Sequence, residues 1–278
     1  MLCDHQCRVV ENRAVSDALW VIVFESQTPF ACLPGQFVMI DLPEDRWFFR
    51  RPMSVLSVDE TKKRFSVFYR VVGQGTNILA RLQLGTHLNV LGPLGNSFTP
   101  PQNPDKAILI GGGIGIAPLY WLAYTLHASG LPVPHCYYGV RSAQDVGLDN
   151  ELASLLGSRL QISTDDGSLN FKGNVCGLLQ QDAETIRSAE TAYICGPTKM
   201  MQASCELLTQ LNPGIKTEVS LEEHMPCGTG ACGGCVVFRA DDKLPSKVCV
   251  EGPVFDASVL YWGDALQGHQ KEASSCLR

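Results

Sequence analysis

The sequence predicts three units in a row: a small β-barrel, an α/β domain built on a parallel sheet, and a compact cysteine-bearing unit at the C-terminal end. Three observations carry this. The first hundred residues break into short β-forming runs separated by Gly- and Pro-bearing turns, the pattern of a small barrel. After Pro100-Pro101-Gln102-Asn103-Pro104, a linker by composition, the rhythm changes to strand–helix alternation, which argues for a parallel sheet. From about Lys216 the cysteine spacing tightens and glycine rises. The expected units are residues 1–102, 103–215 and 216–278.

Within the first unit the β-rich runs are Trp20–Glu25, Phe37–Leu42, Ser54–Val58, Phe65–Val71 and His87–Leu91. Pro34-Gly35, Gly73 to Gly75 and Gly92-Pro93 supply the turns between them. The second unit opens on a buried strand, Ala107–Ile110, a glycine turn, and a helix with Pro118 in its first turn. Leu119, Leu122, Ala123 and Leu126 continue that helix at its own spacing, and Gly130 to Pro134 ends it. Further strands are expected at Cys136–Val140, Leu160–Thr164 and Ala192–Cys195, the last leading into a helix from near Pro197 to Leu208.

Composition excludes several classes. Lysine plus arginine number 22 against 28 aspartates and glutamates, a net charge of −6, and no basic run appears, so a phosphate-neutralising nucleic-acid surface is not expected. No membrane span is expected either. Ala107 to Val140 lacks any charged side chain, but Gly111, Gly112, Gly113, Gly115 and Pro118 break its first half into strand, turn and helix. Charged residues reach only 18%, below the roughly 25% of a typical soluble protein, which leaves surface for cofactors or partners. The chain carries twelve cysteines, and its N-terminal stretch (MLCDHQCRVV) offers no apolar signal segment. That combination reads as intracellular and cytoplasmic, and favours metal or redox work over disulfides.

The sharpest motif is Cys227-Gly-Thr-Gly-Ala-Cys232-Gly-Gly-Cys235, followed by Cys249. Three thiolates at C-x4-C-x2-C with one distal cysteine match the ligand pattern of a plant-type [2Fe–2S] cluster. Such a loop must wrap closely, and Gly228, Gly230, Gly233 and Gly234 permit the backbone it needs. Structural zinc is the other reading, although zinc favours paired short C-x2–4-C loops and here three ligands share one loop. Cys3, Cys7, Cys32, Cys136, Cys176, Cys205 and Cys276 stand isolated and are expected to act as small apolar residues. Cys195 differs, because it ends a strand in Tyr193-Ile-Cys-Gly-Pro197, where open α/β sheets bind ligands.

Two further signals concern phosphate. Arg50-Arg51-Pro52-Met53-Ser54 begins a strand, and Phe68-Tyr69-Arg70 closes a later one before Gly73-Gln-Gly-Thr76. A fixed arginine, a hydroxyl and a Gly-Thr turn together suit a diphosphate, although each alone also describes a solvated strand end or a plain turn. Ile110-Gly-Gly-Gly-Ile-Gly115 resembles a phosphate-binding strand–helix turn but is not G-x-G-x-x-G, since Ile116 takes the sixth place. The next strand ends in Val140-Arg141-Ser142 and carries no acid for a ribose.

In this order the motifs resemble the ferredoxin-reductase-like flavoproteins. Within that group the stretch from about residue 5 to 265 resembles the electron-transfer subunits of B-type dihydroorotate dehydrogenase. The cysteine loop, Val248-Cys-Val-Glu-Gly-Pro-Val-Phe255 and Ser163-Thr-Asp-Asp-Gly167 point there. The resemblance implies an FAD barrel, an NAD-binding α/β domain and a [2Fe–2S] unit. It implies that Arg51, Pro52, Met53 and Ser54 meet the FAD diphosphate and flavin edge, and that Phe68, Tyr69 and Arg70 line the flavin. Gly75 and Thr76 would hold the phosphates. Gly111, Gly112, Gly113 and Gly115, with Cys195, Gly196 and Pro197, would flank the nicotinamide. Arg50 competes with Arg51 for its role, and only the spacing to Ser54 favours Arg51.

The implied partner is an FMN-containing dihydroorotate dehydrogenase catalytic subunit of pyrimidine biosynthesis, with two of each chain. Electrons would then run from FMN through [2Fe–2S] and FAD to NAD⁺. No catalytic acid–base pair is expected, and His224, three residues before Cys227, reads as exposed or packed on the loop. Two alternatives compete. One is a flavin–cluster reductase subunit serving a hydrogenase, sulfite reductase or transhydrogenase; the other is a zinc-stabilised binding protein without redox work.

Overall fold

The structure, a computed structural model, describes residues 3–42, 49–241 and 243–263. Cys276 and the tail after Gly268 lie outside the described residues, as does the end of the expected 216–278 unit.

Six strands close the barrel: β1 (Asp4–Ala14), β2 (Leu19–Ser26), β3 (Phe37–Ile40), β4 (Arg51–Val58), β5 (Arg64–Arg70) and β6 (His87–Leu94), in the spatial order β1-β2-β5-β4-β3-β6. Alternation drives it. Ile22, Phe24, Val38, Ile40, Val55, Phe65, Val67 and Val90 all point inward and are buried, while the opposite pleats face outward. Phe30 stacks on Phe65 with ring centroids 4.1 Å apart. Helix α1 (Gln74–Ala80) closes one end by burying Leu79. Asn12 Nδ2 donates to the carbonyls of Leu79 (2.9 Å) and Leu82 (3.0 Å), tying that end down. Strand β1 had no expectation from the sequence. Only His5, Cys7 and Val9 turn inward there, and its outer face is charged.

The second unit runs β7 (Ala107–Gly112), α2 (Ile116–Ala128), β8 (His135–Val140), α3 (Asp149–Leu156), β9 (Leu160–Thr164), β10 (Phe171–Lys172), α4 (Val175–Gln181), α5 (Ala183–Ser188), β11 (Thr191–Cys195), α6 (Thr198–Leu211) and β12 (Lys216–Ser220). The sheet order is β10-β9-β8-β7-β11-β12-β15, where β15 is Val254–Asp256 and is the one antiparallel member. Helix α2 explains the uncharged stretch. It lies between its own sheet and barrel strand β4, so it is buried on nearly every side. Among the described residues no helix is long and apolar enough to cross a membrane.

The last unit is interleaved with the others. β12, just after the expected 215/216 boundary, pairs with β11 in parallel, and β15 then pairs with β12. Between them lie the cysteine loop and a small hairpin of β13 (Val236–Phe238) and β14 (Pro245–Lys247). Of the isolated cysteines, Cys7 and Cys136 are buried as small apolar residues would be, Cys32, Cys176 and Cys205 are half-buried, and Cys3 is exposed.

Candidate functional site

A cleft of about 670 Å³ opens where the barrel, the carboxyl edge of the sheet and the last unit meet. Its sheet wall follows from topology. The chain passes outward through β8 and β9 on one side of β7 and returns to β11 on the other, which opens a crevice between the ends of β7 and β11. Glycine lets the two turns there close up. A Cβ on Gly115 would collide with the Cys195 carbonyl oxygen, and one on Gly196 would sit 2.9 Å from Gly112 Cα. Gly112, Gly113, Gly115, Cys195, Gly196 and Pro197 therefore form a floor almost bare of side chains. Such a floor suits a flat ring and a dinucleotide backbone. Gly111 stays inside β7, with its α-carbon packed against Ile116.

Cys195 faces the cleft beside Ser220 and Glu222. Burial pushes its thiol up to about 12, the Glu222 charge adds to the shift, and the Ser220 hydroxyl opposes it. The thiol is therefore neutral at physiological pH.

The barrel wall comes from β4 and β5. Pro52, Met53 and Ser54 line the cleft, as do Phe68 and Arg70. Tyr69, between the last two, turns into the barrel core and is 1% exposed, as strand alternation requires. The sequence expectation that it lines the flavin is therefore not matched in geometry. Phe68 fills the space above Gly147, where a Cβ would strike its ring. Arg70 Nη1 pairs with Asp145 Oδ1 at 2.8 Å, from barrel to nucleotide domain. Burial works against the Asp145 charge, but the Arg70 guanidinium and Ser142 hydroxyl outweigh it and hold the carboxyl below its usual range.

The two neighbouring arginines separate clearly. Arg50 forks onto Asp4, with both oxygens at 2.8 Å. Arg51 instead lies over the Gly75–Thr76 turn, where a Cβ on Gly75 would strike its Nε. Arg51 thus packs against the Gly75–Thr76 turn, and the next residues of its strand, Pro52 to Ser54, line the cleft. The Thr76 hydroxyl accepts from the Val72 and Gly73 N–H groups and donates to the Gly73 carbonyl, so it shapes the turn. A guanidinium over a glycine turn suits the diphosphate of FAD.

Cys227 and Cys232 are neighbours in the cysteine loop, and Cys249, arriving from the turn after β14, comes near Cys235. Partial burial raises the Cys227 thiol, but N–H donors from Thr229 and Cys232 outweigh it and bring it down to about 6. Burial, and then the hydrogen bond with Cys235, push Cys249 up to about 12. Thr229 N and Gly234 N point at the sulfurs of Cys227 and Cys232, both at 3.4 Å. Four cysteines from one loop and one nearby turn, with backbone N–H donors on two of the sulfurs, suit an iron–sulfur cluster. Among the described residues no three His, Cys, Asp or Glu side chains gather as a single metal ion would need.

Phe37, Asp145, Glu222, Glu223, Met225 and Pro253 also line the cleft, although the sequence reading passed over them. A signal existed for Glu222 and Glu223. They follow a strand parallel to β11, so they emerge at the same carboxyl edge as Cys195.

Three family models match the chain. Residues 6–98 match the oxidoreductase FAD-binding domain, 109–206 the oxidoreductase NAD-binding domain, and 222–261 the iron–sulfur cluster binding domain of dihydroorotate dehydrogenase B. Fold, cleft and loop define a ferredoxin-reductase-like oxidoreductase subunit that binds FAD, NAD and an iron–sulfur cluster. The dihydroorotate dehydrogenase B (NAD(+)) electron transfer subunit of Listeria monocytogenes serotype 4a is 37% identical over 255 residues, 91% of this chain and 96% of the relative. That of Enterococcus faecalis is 38% identical over 230 residues, 81% and 85%. The chain belongs to this family of electron transfer subunits. Among solved structures, an NADH-dependent reduced ferredoxin-NADP oxidoreductase superposes with TM-score 0.78 at 26% identity, covering 97% of this chain and 96% of the other. The ferredoxin reductase of carbazole 1,9a-dioxygenase shares the fold, with TM-score 0.66 at 23% identity over 77% of this chain and 67% of the other.

Proposed function

We propose that this chain is the electron-transfer subunit of a dihydroorotate dehydrogenase complex and delivers electrons from a catalytic partner to NAD⁺. The observation that carries this is the cysteine loop abutting a flavin–nicotinamide cleft, in a chain whose relatives carry that name. When bound, the cluster supplies one-electron transfer and the flavin exchanges one-electron for two-electron chemistry. The chain's own residues hold and exclude. Arg51, Gly75 and Thr76 anchor the diphosphate of FAD, and Pro52, Met53, Ser54, Phe68 and Arg70 shape the flavin wall. The glycine floor and Cys195-Gly196-Pro197 take the nicotinamide. Cys227, Cys232, Cys235 and Cys249 ligate the cluster.

The partner is an FMN-containing catalytic subunit, and the complex holds two of each chain in the cytoplasm. The surface supports a partner at the cluster end. Cys232 is exposed, and Phe238, Leu244, Val250 and Tyr261 place large apolar side chains in solvent on the same unit. Units 1–102, 103–215 and 216–278 then correspond to flavin, nicotinamide and cluster work, with β12 and β15 lent back to the sheet.

An absorption spectrum with iron and flavin content tests this. The reading predicts about one FAD and two irons per chain. A colourless protein holding zinc would contradict it.

A further inference from the structure

The segment Val248–Phe255 does more than supply a ligand. Val250 N and Glu251 N both donate to the Lys247 carbonyl, at 3.0 and 2.9 Å, and the Glu251 carboxylate accepts from Lys247 N. Cys249 therefore rides on a tight turn, and the far end of that turn is held from the barrel. Asn96, two residues beyond β6, donates through Nδ2 to the carbonyls of Glu251 (2.9 Å) and Val254 (2.7 Å). Its Oδ1 accepts from Val254 N at 2.9 Å, and its own N–H donates to the Gly252 carbonyl at 2.7 Å. The contact is close as well as polar. A Cβ on Gly95 would lie 2.6 Å from the Gly252 oxygen.

The other end of the ligand set presses on the same corner of the barrel. Gly228, next to Cys227, has φ +70°, and a Cβ there would lie 2.7 Å from Met39 Cγ and 3.1 Å from Leu94 Cδ1. Met39 belongs to β3, whose Phe37 lines the cleft together with Pro253. One barrel corner thus touches the first ligand's neighbour, the fourth ligand's turn and the cleft wall.

We propose that Asn96 is a positioning residue for the cluster, pinning the Cys249 turn to the barrel so that the cluster and the flavin cleft keep a fixed relation. The proposal rests on the iron–sulfur reading above. Its energetic logic is that a turn of a few residues cannot hold a ligand in place alone, whereas four hydrogen bonds to a closed barrel can.

The test uses the full chain loaded with FAD and iron. Iron release to a chelator and the visible circular dichroism of the cluster are measured for wild type, Asn96→Ala, Asn96→Asp and Asn12→Ala. Asn12→Ala is the control, because it removes hydrogen bonds of the same kind at the opposite end of the barrel. Asn96→Ala should release iron at least about fivefold faster with shifted dichroism bands. Asn96→Asp keeps an acceptor for Val254 N–H but sets a carboxylate against the Glu251 and Val254 carbonyl oxygens, so it should release iron at least as fast as Asn96→Ala. Asn12→Ala should match wild type in both. Wild-type behaviour of Asn96→Ala, or equal acceleration by Asn12→Ala, would overturn the proposal. If Asn96→Ala does not fold, Asn96→Asp against Asn12→Ala decides it in the same way. A wild-type chain that holds no iron would overturn the cluster reading itself.

Discussion

At the scale of single residues, two adjacent arginines at the start of β4 have different surroundings, and the proposed diphosphate role falls to Arg51. Arg50 is committed to Asp4, and Arg51 lies over the Gly75 turn. Arg51→Met should therefore weaken FAD binding about 10- to 100-fold, the roughly 1.5–3 kcal/mol of a hydrogen bond to a charged group. Arg50→Met should leave FAD affinity within about twofold. Isothermal titration of the flavin-stripped protein with FAD reads both, and equal losses would break the division. The glycine floor gives a second expectation. Gly115→Ala drives a methyl group into the Cys195 carbonyl, so it should cost about 1–3 kcal/mol of stability and weaken NAD⁺ binding severalfold. Thermal unfolding with and without NAD⁺ measures both effects.

At the scale of elements, the pair Arg70–Asp145 joins β5 to the loop after β8 and sets a pH dependence. The Asp145 carboxyl is held below its usual value of about 3.9 in the folded chain. Its stabilisation is therefore present above that value and disappears as the pH falls through the lowered folded value. Asp145→Asn should cost about 1 kcal/mol at pH 7 and progressively less as the pH falls below the usual carboxylate range. Denaturant unfolding of mutant and wild type across pH 2–7 should show the two curves converging at the acid end; a constant gap would deny the linkage. The elements also show what the sequence could reveal. Strands β2 to β6 were legible because runs of β-branched and aromatic residues stand between Gly- and Pro-bearing turns, and α2 because its glycine turn and Pro118 mark its start. Strand β1 was hidden because its inward positions include His5 and Cys7. The His5 ring is buried only because Ser26, Thr28 and the Gly92 carbonyl satisfy it, and such long-range partners leave no local pattern.

At the scale of the whole molecule, the site belongs to no single unit. The iron–sulfur unit was legible from cysteine spacing alone, since its cysteines are close in sequence, and residues 222–261 match the corresponding domain. The cleft was only half legible. The motifs of β4, β7 and β11 marked two walls, whereas the third arises because β12 and β15 bring the last unit back onto the sheet. Tyr69 shows the limit at this scale, because a motif names neighbours along a strand and the pleat decides which of them faces the cofactor. The low charge content follows from the same architecture: three cofactor surfaces and an apolar face beside the cluster occupy area that a free-standing protein would give to charge. The proposed role is delivery of electrons from dihydroorotate to NAD⁺. It is read most directly as NADH formation by the chain, loaded with FAD and iron and co-purified with its catalytic partner subunit, on addition of dihydroorotate. The account predicts NADH in step with orotate, and no NADH when Cys232→Ser replaces the wild-type chain. Oxidation of dihydroorotate by the loaded complex with no NADH formed would contradict it.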